Sequence, residues 1–145
     1  MDNMENKALA VDLTNAPPLT VAKEAAAALF RKKGIDIRLF CVEDTTVIAD
    51  YYVICTGRAS THVKALSDEV DFRLGRSGIR SYRTEGREGG EWLLVDFGTV
   101  IVHVFSREAR EYYNLERLLN EENEVDLTAF FENVQNKIET GEIEA

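Results

Sequence analysis

Apolar residues recur at helical spacing in some segments of the chain and alternate with polar ones in others. Val21, Ala25, Ala28 and Leu29 share one face of a predicted helix that Thr20 would cap and Gly34 would stop. "IDIRLFCV" follows as a first strand. "EDTTVIAD" reads as a turn or irregular hairpin connection. "YYVICT" is a second strand, apolar enough to lie centrally in a sheet. Gly57 ends it, and Ser60 or Thr61 opens a helix carrying Val63, Leu66, Val70 and Leu74 at helical spacing, with a stop between Gly75 and Gly78. "IRSYRTE" alternates as a third strand, and "GREGG" is a glycine turn. "EWLLVD" and "TVIVHVF" form a hairpin of strands four and five about Phe97 and Gly98. Ser106 would cap a last helix, "REAREYYNLERLL", with Ala109, Tyr112, Leu115 and Leu119 along one side.

The predicted order is αββαβββα. One strand–helix–strand crossover among hairpin-linked strands gives an α+β fold, a mixed five-stranded sheet with helices packed on it. Residues 1–18 lack periodicity and end in Pro17-Pro18, so they read as a flexible arm. Residues 19–119 hold the folded domain. Residues 120–145 read as an acidic tail, solvated by default, in which "LTAFFENVQNKI" can form a short extra helix that docks through Leu127, Phe130 and Phe131.

A chain of 145 residues fits one domain with tails. No apolar run reaches the roughly 20 residues that span a bilayer. The N-terminus lacks a basic region ahead of an apolar core, so no signal peptide is read and a cytoplasmic location is expected. Charge changes the picture more. The net value is −9, and from Asn120 onward eight acids face one base, which leaves the body nearly neutral. Direct nucleic-acid binding is disfavoured, because phosphate recognition needs a basic face. A basic protein partner is compatible.

Candidate chemistry is sparse. Cys41 and Cys55 lie in apolar strands and read as buried free thiols. "TGRAST" is a glycine turn into a helix N-terminus, without the further glycines or lysine of a phosphate loop. "DFG" at Asp96–Gly98 lacks every companion motif of a kinase. His103 in its apolar strand reads as a packed histidine, and His62 as a surface residue of a first helical turn. No third group completes a Cys55–His62 pair. No catalytic residue, metal site or cofactor is therefore assigned. Trp92 and Phe97 stand out instead. Alternation puts Trp92, Leu94 and Asp96 on one face of strand four, and Leu93 and Val95 on the other. Phe97 beside a tip glycine is either an exposed hot spot for a partner or folded back over the sheet edge.

Three segments carry a family resemblance: "GIDIRLFCVED", "DYYVICTGRASTHVKAL" and "GEWLLVDFGTVIVHVFSREAREYYNLERLL". With their order they resemble the ribosomal silencing factors, or Iojap-like proteins, over about residues 20–119. The resemblance implies a nucleotidyltransferase-like fold without transferase activity, and the chain lacks paired strand carboxylates after "TG". It also implies binding to protein fourteen (L fourteen) of the large ribosomal subunit. Joining of the small subunit would then be blocked by bulk, and translation lowered in starvation or stationary phase. The family's partner-binding tryptophan and tip residue match Trp92 and Phe97, the latter a larger residue than the usual Leu. Leu94 and Asp96 share the Trp92 strand and complete the expected contact set with the acidic Glu85 and Glu91, with Glu88 beside them. The alternatives are a nucleotidyltransferase-like or thiol-dependent enzyme, or a homodimer using the same apolar face.

Overall fold

The computed structural model describes residues 11–86 and 88–143. Helix α1 spans Pro18–Arg31, β1 Ile35–Cys41, β2 Tyr51–Gly57 and α2 Ser60–Arg76. Strand β3 spans Arg83–Glu85, β4 Trp92–Asp96, β5 Val100–Ser106 and α3 Arg107–Tyr113. Strand β6 is Glu124–Val125, and α4 is Thr128–Glu139. The α+β class holds, with a sixth strand added to the expected five. The sheet order is β3-β4-β5-β2-β1-β6. Only β2 and β5 pair in parallel; the other neighbours are antiparallel.

The sheet has two different faces. Leu39, Val53, Cys55, Leu93, Val95, Val102 and Val104 point to the side covered by α1 and α2. Helix α1 meets them with Ala22, Ala25, Ala26 and Ala28, small residues that bring its backbone close to the strands. Leu66, Val70 and Leu74 of α2 complete that layer. Phe40, Ile54, Ile101 and Phe105 point to the opposite side, where Ala109 and Leu119 cover them and Trp92, Leu94, Tyr52 and Leu115 are half-buried at the margin. This second layer covers only part of its face.

Strand β3 forms only over Arg83–Glu85 of the expected "IRSYRTE", and four further boundaries differ from expectation. Helix α1 starts at Pro18 with no side-chain cap, so Thr20 lies within its first turn; a proline there loses no hydrogen bond, since first-turn N–H groups have no helical partner. The last helix stops at Tyr113, because Asn114 takes a left-handed conformation (φ 46°), and Leu115–Leu118 continue as a 3-10 turn. Tyr112, expected on the packed side, is therefore 82% exposed. The expected flexible arm is ordered from residue 11. Leu13 is buried and its N–H donates to Ser77 O at 2.8 Å. Residues 1–10 of that arm lie outside the described residues.

The fourth difference is the acidic segment after Asn120: its extra helix forms and docks through Leu127, Phe130 and Phe131, the alternative to the solvated appendage expected by default. Val125 pairs with Leu39 and Glu124 with Phe40, extending the sheet. Leu127 and Val134 are buried. Phe131 of α4 stacks on Phe30 of α1, with ring centroids 4.6 Å apart and planes 9° from parallel. Arg38 donates to both carboxylate oxygens of Glu124 at 2.9 and 2.8 Å, and this hydrogen bonding lowers the Glu124 pKa. Buried Arg110 donates to Glu116 (2.8 Å), to Thr56 Oγ1 (2.9 Å) and to Asp36 O (2.8 Å), fastening the chain after α3 to the sheet.

Candidate protein-binding face

Trp92 opens β4 on the partly covered side of the sheet. Its register partner on β5 is Phe105, and Leu94 lies opposite His103. The indole stacks on Phe105 at 4.8 Å and meets Tyr113 of α3 at 4.8 Å. Its Nε1–H donates to His103 Nδ1 at 3.1 Å. Tyr52 sets its ring edge against His103 at 4.6 Å. Tyr113 in turn meets Tyr112 at 5.0 Å, edge to face. The result is a half-buried indole held by rings on several sides, with Tyr113 against it and Tyr112 next to that, 45% and 82% exposed. Large apolar side chains gathered at a surface with a fixed aromatic among them have the makings of a protein contact.

Phe97 is elsewhere. It is 6% exposed and belongs to the core layer under α1 and α2, with Leu93 and Val95. Of the two readings left open for this residue, exposure at the tip is ruled out and the ring lies in the core rather than over the sheet edge: strand alternation continues past Asp96 and turns Phe97 inward. The turn itself is made by Gly98 (φ 91°) and Thr99, closed by Phe97 N–H donating to Val100 O at 2.9 Å. The ring of Tyr82, 79% exposed, lies over Gly98, where an added Cβ would come within 2.7 Å of it.

The acidic residues divide by what they hold. Asp96 accepts from Gly98 N–H at 2.8 Å and from Arg83 at 3.2 Å, so it braces the turn. Glu91 accepts from the Ser106 hydroxyl at 2.6 Å, and that same oxygen accepts from Ala109 N–H at 3.1 Å, capping α3 as expected. Glu85 pairs with Arg83 at 2.5 Å on the open surface. Glu88 is exposed. Trp92 and Leu94 are thus brought together, whereas Phe97 faces the other layer. Tyr112, Tyr113 and Leu118 were missed as surface residues. A signal existed: adjacent tyrosines lie about 100° apart around a helix, so both cannot face one core.

The remaining candidates are structural. Burial pushes the Cys55 thiol up to about 12, far from a nucleophile's range; Cys41, at a strand end, is only half-buried. His62 Nδ1 accepts from Arg58 N–H at 3.0 Å, and its Nε2 meets Lys32 O at 3.0 Å. It therefore ties the β2–α2 turn to the end of α1. Gly57 in that turn lies so close to α2 that a Cβ would come within 2.9 Å of Val63 N. Among the described residues, no group of three or more His, Cys, Asp or Glu gathers where it could hold a metal ion, and no helix is long and apolar enough to cross a membrane.

Comparison with known proteins gives one consistent family. The model described as "Ribosomal silencing factor during starvation" matches residues 15–144. A Bacillus subtilis protein named ribosomal silencing factor RsfS is 38% identical over 108 residues, covering 74% of this chain and 92% of that protein. The mouse protein "Mitochondrial assembly of ribosomal large subunit protein 1" is 33% identical over 93 residues; the match covers 62% of this chain and 41% of the mouse protein. A crystal structure from Chromobacterium violaceum superposes with a TM-score of 0.70 at 36% identity, covering 71% of this chain and 86% of that one.

Proposed function

The chain belongs to the ribosomal silencing factor family, and from that premise we propose that it binds the large ribosomal subunit through protein fourteen (L fourteen). Bound there, it blocks the small subunit by bulk and so represses translation when nutrients are short. The observation that carries this reading is the Trp92 face: a half-buried indole with Leu94 alongside and the exposed Tyr112 and Tyr113 next to it. A rigid aromatic anchor loses little conformational freedom on docking, which is why such residues dominate interface energies. The net charge of −9 suits a basic ribosomal protein and opposes direct contact with ribosomal RNA. The large subunit in the name of the mouse relative points the same way. Phe97 enters this reading as a support that stiffens the hairpin from within, and Asp96 as the brace of its turn.

The protein acts by occupancy, without turnover. Co-sedimentation with isolated subunits tests this. The wild type is expected to pellet with the large subunit and to leave the small subunit free. Trp92→Ala is expected to weaken binding about thirtyfold, the effect of losing ~2 kcal/mol from a hot spot. Recovery with the small subunit alone would sink the reading. So would wild-type affinity in a folded Trp92→Ala protein.

A further inference from the structure

Resting on the reading of the Trp92 face as the docking surface, we propose that His103 is a positioning residue, whose Nδ1 accepts the indole N–H and fixes the orientation in which Trp92 meets its partner. His103 sits mid-strand on β5, between β4 and β2, and is 4% exposed. The register puts Leu94 and Ile54 opposite it, so Trp92, paired with Phe105, reaches it as a diagonal neighbour. The contact is a true hydrogen bond at 3.1 Å.

That bond demands one tautomer. Nδ1 must carry the lone pair, which leaves the proton on Nε2. An imidazolium would set a second N–H against the indole N–H. The described groups in contact with the ring are Trp92, Tyr52 and Phe105, with Leu94 and Ile54 across the register; none is charged at neutral pH. Burial pushes His103 down to about 4, so the acceptor form is held through the physiological range.

The residue is a poor choice for stability alone. Its Nε2 is buried with no hydrogen-bond partner, a loss that a phenylalanine of similar volume would avoid. Its compensation is the single bond to Trp92. The indole is otherwise held by ring contacts, which set its plane but allow sliding and rotation within it. A directional bond removes that freedom before docking.

Trp92 is the only tryptophan, so one indole N–H resonance reports the bond. In His103→Phe the ring packing is kept and the acceptor is lost. The resonance is expected to move and to lose its protection from hydrogen exchange. Affinity for the large subunit should fall about fivefold, the share of one hydrogen bond. His103→Gln offers a side-chain oxygen in place of Nδ1 and should recover part of both effects; it also serves if the phenylalanine variant fails to fold. A wild-type indole signal in folded His103→Phe would overturn the bond. A shifted signal with unchanged affinity would overturn its role in docking. Failure of the wild type to bind the large subunit would instead sink the functional reading, while the resonance still decides whether His103 holds Trp92.

Discussion

Trp92 and Phe97 are five positions apart and on opposite faces of the sheet, so the same truncation tests two different things. Phe97 is a core ring. Phe97→Ala should cost ~3–5 kcal/mol of stability, seen as a lower denaturant midpoint, while the folded fraction still binds. Unchanged stability would contradict its burial. The alternation that put Leu93 and Val95 inward reaches Phe97 if carried two residues further, so its placement was legible. The competing rule, that hairpin tips face water, applies to Gly98 and Thr99, the two residues of the turn itself. The face of β4 on which Trp92 lies was legible, but its ring cage was not: Tyr113 comes from α3, and no local pattern joins it to β4. His103 was legible as a packed histidine, though only one of its nitrogens is satisfied.

His103 also carries a pH prediction. Its folded pKa is about 4 against an ordinary 6.5, with desolvation as the cause. Below pH 6.5 the unfolded chain takes up a proton that the folded protein refuses. The stability this residue confers is therefore complete above 6.5 and is lost as pH falls toward 4, on the order of 3 kcal/mol in all. Denaturation midpoints between pH 7 and 4.5 should fall in the wild type. They should fall by distinctly less in His103→Phe, which has nothing to titrate there. Parallel curves would show that His103 does not titrate as its burial implies.

Among the elements, the segment after Asn120 departs furthest from its compositional reading. Eight acids against one base suggested a solvated tail. Composition cannot register that Leu127, Phe131 and Val134 are spaced to lie against α1, or that Arg38 on β1 awaits Glu124. Those are contacts between segments about 90 residues apart. Val125 in a two-residue strand is below what periodicity can detect, and only the free edge of β1 reveals a place for it. Truncation therefore tests whether this segment is part of the fold. Removing residues 121–145 uncovers β1, the ring of Phe30 and the side of α1. Loss of three apolar side chains, each worth roughly 1.5–3 kcal/mol when fully buried, should lower the thermal midpoint by on the order of 10 °C. A truncated protein that melts with the wild type would show that β6 and α4 only rest on the body. Because α4 packs on α1, across the sheet from the Trp92 side, the folded truncated protein should keep the contacts of the Trp92 face and lose only the charge attraction that the acidic segment supplies.

In the steric block proposed above, the whole molecule is the bulk. One face of the sheet is sealed by α1 and α2, and the other is half-covered, leaving Trp92 and Leu94 at the margin. On the proposed reading, a protein docked by that margin places its remaining mass in the way of the small subunit. Two consequences follow from occupancy as the sole mechanism. Inhibition of subunit joining must track affinity for the large subunit, one for one, through Trp92→Ala, Leu94→Ala and Tyr113→Ala. Binding should also weaken as salt rises, since an acidic protein meeting a basic partner is drawn by charges that ions screen within about 10 Å at 0.1 M. Light-scattering assays of subunit joining, run beside co-sedimentation on the same samples, measure both. Each variant should lose inhibition in the proportion in which it loses binding, and excess protein should restore it. A variant that binds the large subunit like the wild type yet lets the small subunit join would separate the two. The block would then depend on a particular contact or a change of shape in the ribosome, and bulk alone would not explain the silencing.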